Sequence, residues 1–143
     1  MSERDFVGTW RLVSMEARTS TGQVNYPLGQ DAGGFIMYSA DGYMSAVLYK
    51  ANRDKFGTRD IMAGTEAQLA NAARTYVSYV AKYQVKGGRV HHAVDASFFP
   101  DWVGTSQERI FEFTGNRLTL STDPIPLGGV QMTVVLIWER VGK

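Results

Sequence analysis

Short segments in which apolar and polar residues alternate recur along most of this chain of 143 residues. An alternation with a period of two places successive side chains on opposite faces of an extended strand. Each segment therefore predicts a β-strand with one buried face. Eight main segments show the pattern: residues 7–17, 34–38, 43–49, 81–86, 89–96, 107–113, 117–122 and 131–140.

The turns between these segments favour antiparallel pairing. Asp41-Gly42 separates two apolar runs, which is a strong hairpin signal because glycine accepts the positive φ that such turns require. Gly87-Gly88 and Thr114-Gly115-Asn116 join later pairs in the same way. An all-β fold results, and strands joined in sequence order predict an up-and-down antiparallel β-barrel, which leaves no free sheet edge. A β-sandwich is the alternative.

One segment departs from the period of two. Thr65 and Gln68 have the spacing of a capping box at a helix start. Apolar residues then recur at helical spacing: Leu69, Ala72, Ala73, Tyr76, Val77 and Val80. The pattern predicts one short α-helix within residues 65–80, although Val77–Tyr83 would also suit a strand.

The polar, glycine-containing stretch of residues 50–64 predicts a mobile loop before this helix. We expect the loop and the helix to lie across one mouth of the barrel and to control access to its interior. The helix would bury Leu69, Tyr76 and Val77.

The composition predicts one domain over residues 1–143 and excludes several classes of function. Lys and Arg total 15 against 14 Asp and Glu, which gives no reason to expect nucleic acid or an anionic membrane as a partner. No apolar run is long enough for a membrane helix, and the first residues lack a signal peptide. The absence of Cys excludes thiolate catalysis and fits a cytoplasmic location. His91 and His92 are the only histidines and are adjacent, so we expect no metal site, and no motif calls for a cofactor.

The inward faces of the predicted strands suggest a binding site. His92 shares a face with Val90 and Val94, while Arg109 and Gln107 share one with Phe111 and Phe113. Tyr83 lies on the inward face of the segment before them. The predicted site is formed by four polar residues and one apolar wall residue: His92, Gln107, Arg109, Tyr83 and Phe111.

Because a buried guanidinium is costly without a partner, Arg109 suggests, with His92, a site that orients an anionic or carbonyl-bearing ligand. The alternative is that Arg109 bonds internal groups and that His92 is an ordinary core residue.

Two aromatic residues complete the candidate site. Ser97–Gly104 contains proline and glycine and three large aromatics, which predicts a turn that plugs or rims the barrel. Trp102 of this turn is a candidate for ligand contact, and the alternative is that it packs in the core with Phe98 and Phe99. Tyr43 is a further candidate, although both faces of segment 43–49 are apolar and its lumen side stays unassigned.

A structural role is predicted for Gly8, Trp10 and Arg140. The first and last strands of a closed barrel are neighbours, so Arg140 can stack on Trp10 at the closed end.

Several motifs resemble those of the small bacterial and fungal lipocalin-like domain family. They are Gly8-Thr9-Trp10-Arg11-Leu12-Val13-Ser14, Tyr26-Pro27-Leu28-Gly29, Tyr38–Ser45, Ser97–Thr105, Gln107, Arg109, Leu118-Thr119-Leu120 and Trp138-Glu139-Arg140. The resemblance covers essentially the whole chain. It implies a calycin-type barrel, an intracellular protein and a small hydrophobic ligand, and it supplies no catalytic set.

The sequence therefore favours a module that binds a small, mostly hydrophobic molecule with a polar or anionic end inside the barrel. The alternative is a cofactor-free isomerase or cyclase acting on a small secondary-metabolite-type substrate in the same lumen. A third interpretation is a barrel filled by its own side chains. Catalytic residues are not identified, and both a monomer and a homodimer stay open.

Overall fold

The computed structural model describes residues 2–142. Ten antiparallel strands form one sheet: β1 Gly8–Thr19, β2 Val24–Asn25, β3 Gly33–Tyr38, β4 Tyr43–Tyr49, β5 Tyr76–Lys86, β6 Arg89–Ser97, β7 Ser106–Thr114, β8 Arg117–Ser121, β9 Ile125–Leu127 and β10 Val130–Arg140. The helices are α1 Glu3–Phe6 and α2 Glu66–Arg74, with a 3₁₀ turn at Pro100–Trp102.

The sheet closes into the predicted barrel. Strands follow one another in the order β1-β3-β4-β5-β6-β7-β8-β10, and β1 pairs with β10 to complete the ring. The short strands β2 and β9 pair with β1 and β10 outside this order. The prediction of an up-and-down antiparallel barrel is confirmed, and the sandwich alternative is wrong.

Two irregularities change which side chains face inward. The register of β1 against β10 skips Val13, which is exposed, and Met15 consequently turns to the interior. Without this extra residue, the alternation that points Trp10 and Leu12 inward would place Met15 outside with Val13. A second register shift, between β5 and β6, turns Ala96 outward although the alternation predicts it inside. Bulges of this kind insert one residue and reverse the alternation beyond it.

The lumen side of β4 is the face that carries Met44, Ala46 and Leu48, all buried. Tyr43 lies on the outer face, where its ring is 43% exposed and contacts Lys82. Tyr43, a candidate for the ligand site on a strand whose lumen side the sequence left unassigned, therefore lies outside the lumen. The alternation of β4 alone is ambiguous because residues on both faces are apolar.

One end of the barrel is closed by α1, which inserts the fully buried Phe6 among the rings of Tyr38, Phe111 and Phe113 at 5.0 Å each. The Trp10 indole donates a hydrogen bond of 2.9 Å to the Phe6 carbonyl. This end of the lumen is consequently a packed aromatic core.

At the other end, α2 connects β4 to β5 and is shorter than predicted. The capping box of Thr65 and Gln68 starts it as expected, but the helix ends at Arg74. Beyond it, Tyr76 pairs with Tyr49 of β4, so the residues whose pattern suits either a helix or a strand form the start of β5. No side chain of α2 is buried, and Leu69 is 49% exposed, which contradicts its expected burial. No helix within residues 2–142 is long and apolar enough to cross a lipid bilayer.

Candidate functional site

The open half of the barrel contains a cavity of about 200 Å³. It lies between the aromatic core of the closed end and the strand ends near β9. Most of its wall is aliphatic or aromatic, and the lining side chains are Met15, Ile36, Ala46, Leu48, Val77, Tyr79, His92, Phe98, Trp102, Arg109, Leu120, Thr122, Ile125, Leu127, Val134, Leu136 and Trp138. A wider depression of about 650 Å³ is formed by the single loop of residues 55–61 and belongs to the surface, outside the barrel.

His92 lies at the floor of this cavity between two tyrosines. Its Nδ1 is 2.8 Å from the Tyr79 hydroxyl, and its Nε2 is 2.8 Å from the Tyr38 hydroxyl. All three side chains are buried, with His92 fully so. Tyr79 and His92 line the cavity, whereas Tyr38 packs against Phe6 in the aromatic core. The result is a hydrogen-bonded chain that runs from the cavity into the packed end.

The three groups are neutral near pH 7. Burial, together with the positive charge of Arg109 and the neighbouring His91, lowers the pKa of His92 to about 3. Burial also raises the pKa of the Tyr38 hydroxyl well above its usual value and raises that of Tyr79. His92 therefore carries one ring proton, and both phenols keep theirs.

Arg109 brings a positive charge to the same cavity. Its guanidinium donates to the Glu108 carbonyl at 2.9 Å and to the Gln107 side-chain oxygen at 3.2 Å. Gln107 in turn donates to the Thr105 hydroxyl at 3.2 Å. No carboxylate of the described chain lies within ion-pairing distance of Arg109, so its charge stays available to a ligand.

The rim of the cavity is formed by the 3₁₀ turn and β9. Trp102 packs edge-on against Tyr79 and Phe98, with ring centres 5.7 Å apart in each case. Ile125 and Leu127 of β9 complete the rim. The predicted rim role of residues 97–104 fits this placement.

Residues 50–64 and α2 connect strands at the same end, but none of them lines the cavity. Their expected position across the mouth is not what the structure has.

Of the residues predicted for the site, His92, Arg109 and Trp102 line the cavity, and Gln107 holds Arg109. Two others lie elsewhere. The Tyr83 hydroxyl donates to the Ser39 carbonyl at 2.7 Å, and its ring packs against Tyr38 in the aromatic core. Phe111 packs there too, against Phe6. Both side chains face the interior, but they lie in the packed closed end of the barrel. Their predicted place in the ligand site is therefore wrong, as is that of Tyr43.

The candidate site lacks Tyr79 and Trp138, which both line the cavity. Tyr79 falls where the predicted helix (65–80) overlaps the possible strand (77–83), and its alternation with Ala81 and Tyr83 favours the strand. Trp138 was noted only within a motif, although it alternates with Leu136 on the inward face of β10.

Within residues 2–142, no three His, Asp or Glu side chains converge as a metal site requires. The cavity wall itself carries no carboxylate. What the arrangement supports chemically is hydrogen bonding, charge stabilisation by Arg109 and proton transfer through His92.

Comparison with known proteins gives a family match. Residues 7–141 match the family described as the lipocalin-like domain. A protein of Aspergillus oryzae named 4'-hydroxy-3'-methoxypropiophenone carrier protein is 31% identical over 109 residues, which cover 70% of this chain and 98% of that protein. No solved structure matches the chain significantly.

Proposed function

The chain belongs to the lipocalin-like domain family, and from this membership we propose that it binds one small, mostly hydrophobic molecule with a polar or anionic end inside its barrel. The observation that carries the proposal is the cavity of about 200 Å³, whose apolar wall is interrupted by Tyr79, His92 and Arg109. Apolar walls with a few convergent polar groups are typical of small-molecule sites.

The cavity volume limits the size of the ligand. An apolar protein cavity of about 150 Å³ binds benzene, and drug-sized ligands occupy about 300–1,000 Å³. A volume of about 200 Å³ therefore suits a single ring with a short substituent. An aromatic ketone such as the one in the name of the Aspergillus oryzae relative is a reasonable first candidate.

Binding is tested by native mass spectrometry of freshly purified protein and by titration with propiophenone and 4'-hydroxy-3'-methoxypropiophenone, followed by tryptophan fluorescence. Ala46→Phe places a ring inside the lumen and is expected to abolish binding, because Ala46 is a cavity residue that is only 4% exposed. Val47→Phe, one residue further on the outward face, is the matched control and is expected to bind normally. Equal binding by both variants would place the ligand outside the barrel and contradict the proposal.

A second candidate function, a cofactor-free isomerase, is favoured by the Tyr79–His92–Tyr38 chain. In such a reaction Tyr79 would take a proton from the substrate and pass its own to Nδ1 of His92, and Arg109 would stabilise the resulting enolate charge. The test is exchange of the α-hydrogens of propiophenone for deuterium in heavy water, followed by NMR. Exchange that the protein accelerates, and that His92→Gln abolishes, supports catalysis. Exchange at the rate of buffer leaves binding as the function.

A further inference from the structure

The hydrogen-bonded chain at the cavity floor contains one more hydrogen than its bonds use. Tyr38 and Tyr79 each carry a phenolic hydrogen, and neutral His92 carries one ring hydrogen, which makes three. The chain has two hydrogen bonds, one at each ring nitrogen. Because one nitrogen donates and the other accepts, one tyrosine must accept from His92 and keep a hydrogen that the chain does not use.

The two tyrosines differ in whether a hydrogen-bond acceptor is able to reach their unused hydroxyl hydrogen. The Tyr38 ring lies between Phe6 and Tyr83, with ring centres 5.0 Å and 4.8 Å away, so a free hydroxyl hydrogen there would be buried among aromatic groups. Tyr79 forms part of the cavity wall, where a ligand is able to accept its hydrogen. Leaving a buried donor without an acceptor is costly. The arrangement with the ring proton on Nδ1 avoids that cost once a ligand is bound.

A second donor on the wall is also unused. Trp138 is 1% exposed and lines the same cavity, and its indole Nε1 has no hydrogen-bond partner among residues 2–142. Arg109 contributes only donors, and Thr122 already accepts a bond of 3.0 Å from the Val134 amide. With no carboxylate on the wall, the polar groups of the cavity mostly offer hydrogens.

We propose that this cavity selects ligands that carry a carbonyl oxygen, which accepts hydrogen bonds from the Tyr79 hydroxyl and the Trp138 indole. Tyr79 is available for this because it accepts the Nδ1 hydrogen of His92, while Tyr38 donates to Nε2 from the other side. Hydrocarbons of the same shape leave both donors unpaired and bind more weakly. The inference rests on the proposed function, since it names the chemical class of the ligand that the barrel holds.

The test compares two probes of nearly equal shape, propiophenone and 2-phenyl-1-butene, in which a methylene group replaces the carbonyl oxygen. Wild-type protein is expected to bind the ketone about tenfold more tightly than the alkene, as one or two net hydrogen bonds would give. Tyr79→Phe and Trp138→Phe should each reduce this preference through the ketone affinity alone. Tyr83→Phe is the matched control: it removes a hydroxyl that donates to the Ser39 carbonyl in the closed end, outside the cavity, and should keep the preference.

The outcomes separate this inference from the proposed function. Equal affinity for ketone and alkene, or a preference that survives in Tyr79→Phe, overturns the inference and leaves small-molecule binding standing. If neither probe binds the barrel, both are overturned. Should Tyr79→Phe fail to fold, nitrogen-15 NMR of the His92 ring in the ketone complex gives an independent answer: a proton on Nδ1 supports the inference, and a proton on Nε2 overturns it.

Discussion

The guanidinium of Arg140, on the last strand, lies over the indole of Trp10, on the first, with its central carbon 4.1 Å from the ring centre. The same group donates to the carbonyls of Val7 at 2.8 Å and Asp5 at 3.0 Å. It therefore joins both edges of the barrel seam and holds the segment that carries Phe6. Gly8 allows this approach, because a Cβ there would lie 2.6 Å from the guanidinium.

Arg140→Met is expected to lower the free energy of unfolding by about 2–4 kcal/mol, because two hydrogen bonds and a cation–π contact are lost together. Arg117→Met is the matched control. Arg117 pairs at 3.4 Å with Glu139 at the same end, but both side chains are about half exposed, so we expect a loss below about 1 kcal/mol. Urea denaturation measures both. Similar losses in the two variants would contradict a special role for Arg140.

The burial of His92 predicts a specific loss of stability in acid. Its pKa is about 3 in the folded barrel, against 6.5 for a free imidazole. The unfolded chain therefore takes up this proton first, and stability falls as pH drops from about 6.5 towards 3. Between about pH 6.5 and 4.5 the contribution is about 2–3 kcal/mol. His92→Gln should have a flatter pH dependence over that interval in urea titrations. Parallel curves for the two proteins would contradict the burial of a neutral imidazole.

Arg109 is expected to act on the ligand through its charge. Arg109→Met should weaken the binding of benzoate on the order of tenfold and that of propiophenone much less, because only the anion loses a charge-assisted hydrogen bond. The same variant should raise the pKa of His92, since the charge of Arg109 contributes to lowering it. Calorimetry and NMR titration check the two effects. Arg11→Met is the control, because Arg11 stacks on Phe35 at the surface. An equal effect of both variants would mean that Arg109 acts only through the net charge of the protein.

Trp102 is expected to slow the escape of a ligand. Trp102→Ala opens the rim above Tyr79 and should raise the dissociation rate on the order of tenfold, with less effect on association. Phe99→Ala is the control, because Phe99 belongs to the same turn, is 45% exposed and does not line the cavity. Stopped-flow release measures the rates. An unchanged release rate in Trp102→Ala would mean that the ligand enters and leaves by a route that does not pass Trp102.

The loop of residues 50–64 is expected to exchange its amide hydrogens well before the strands do. Ile61 and Met62 are 93% and 86% exposed. Few hydrogen bonds tie the loop to the residues after it: the Lys50 amide donates to the Thr75 carbonyl, and the Arg53 guanidinium donates to the Thr75 hydroxyl and the Ala72 carbonyl. Hydrogen exchange followed by mass spectrometry provides the test. Slow exchange over the whole segment would mean that the loop packs against the barrel in solution.

The strands were predictable from sequence because their turns carry glycines in positions that few other residues tolerate. Gly42 has a φ of 94° and Gly87 one of 61°, and each lies in the turn of a hairpin whose two strands the alternation predicts. The alternation fails where one strand contains an extra residue, because every residue beyond it then faces the opposite side. The extra residue at Val13 reverses the facing of β1, and nothing in the local pattern distinguishes Val13 from its neighbours.

Only part of the site was predictable. The inward face of β6 and β7 identified His92 and Arg109 because a histidine or an arginine among core residues is conspicuous. The depth of each residue along the barrel axis is not encoded in a period of two, so Tyr83 and Phe111 were placed in the ligand site although they lie in the packed end. His92 and Tyr79 lie 13 positions apart on the neighbouring strands β6 and β5, whereas Tyr38 lies 54 positions away on β3 and reaches His92 only because the sheet curves across the two strands between them.

The seam between β1 and β10 has a consequence for how the barrel assembles. Nine residue pairs join these strands, from Trp10–Arg140 to Thr19–Met132, and every one spans more than a hundred positions of the chain. During synthesis, β1 leaves the ribosome with one of its two hydrogen-bonding edges unsatisfied until β10 emerges. Such long-range closure carries a large loop entropy and makes folding slow. A β1 edge without its β10 partner is open to pairing with other chains, so the time before closure is the stage at which aggregation competes with folding.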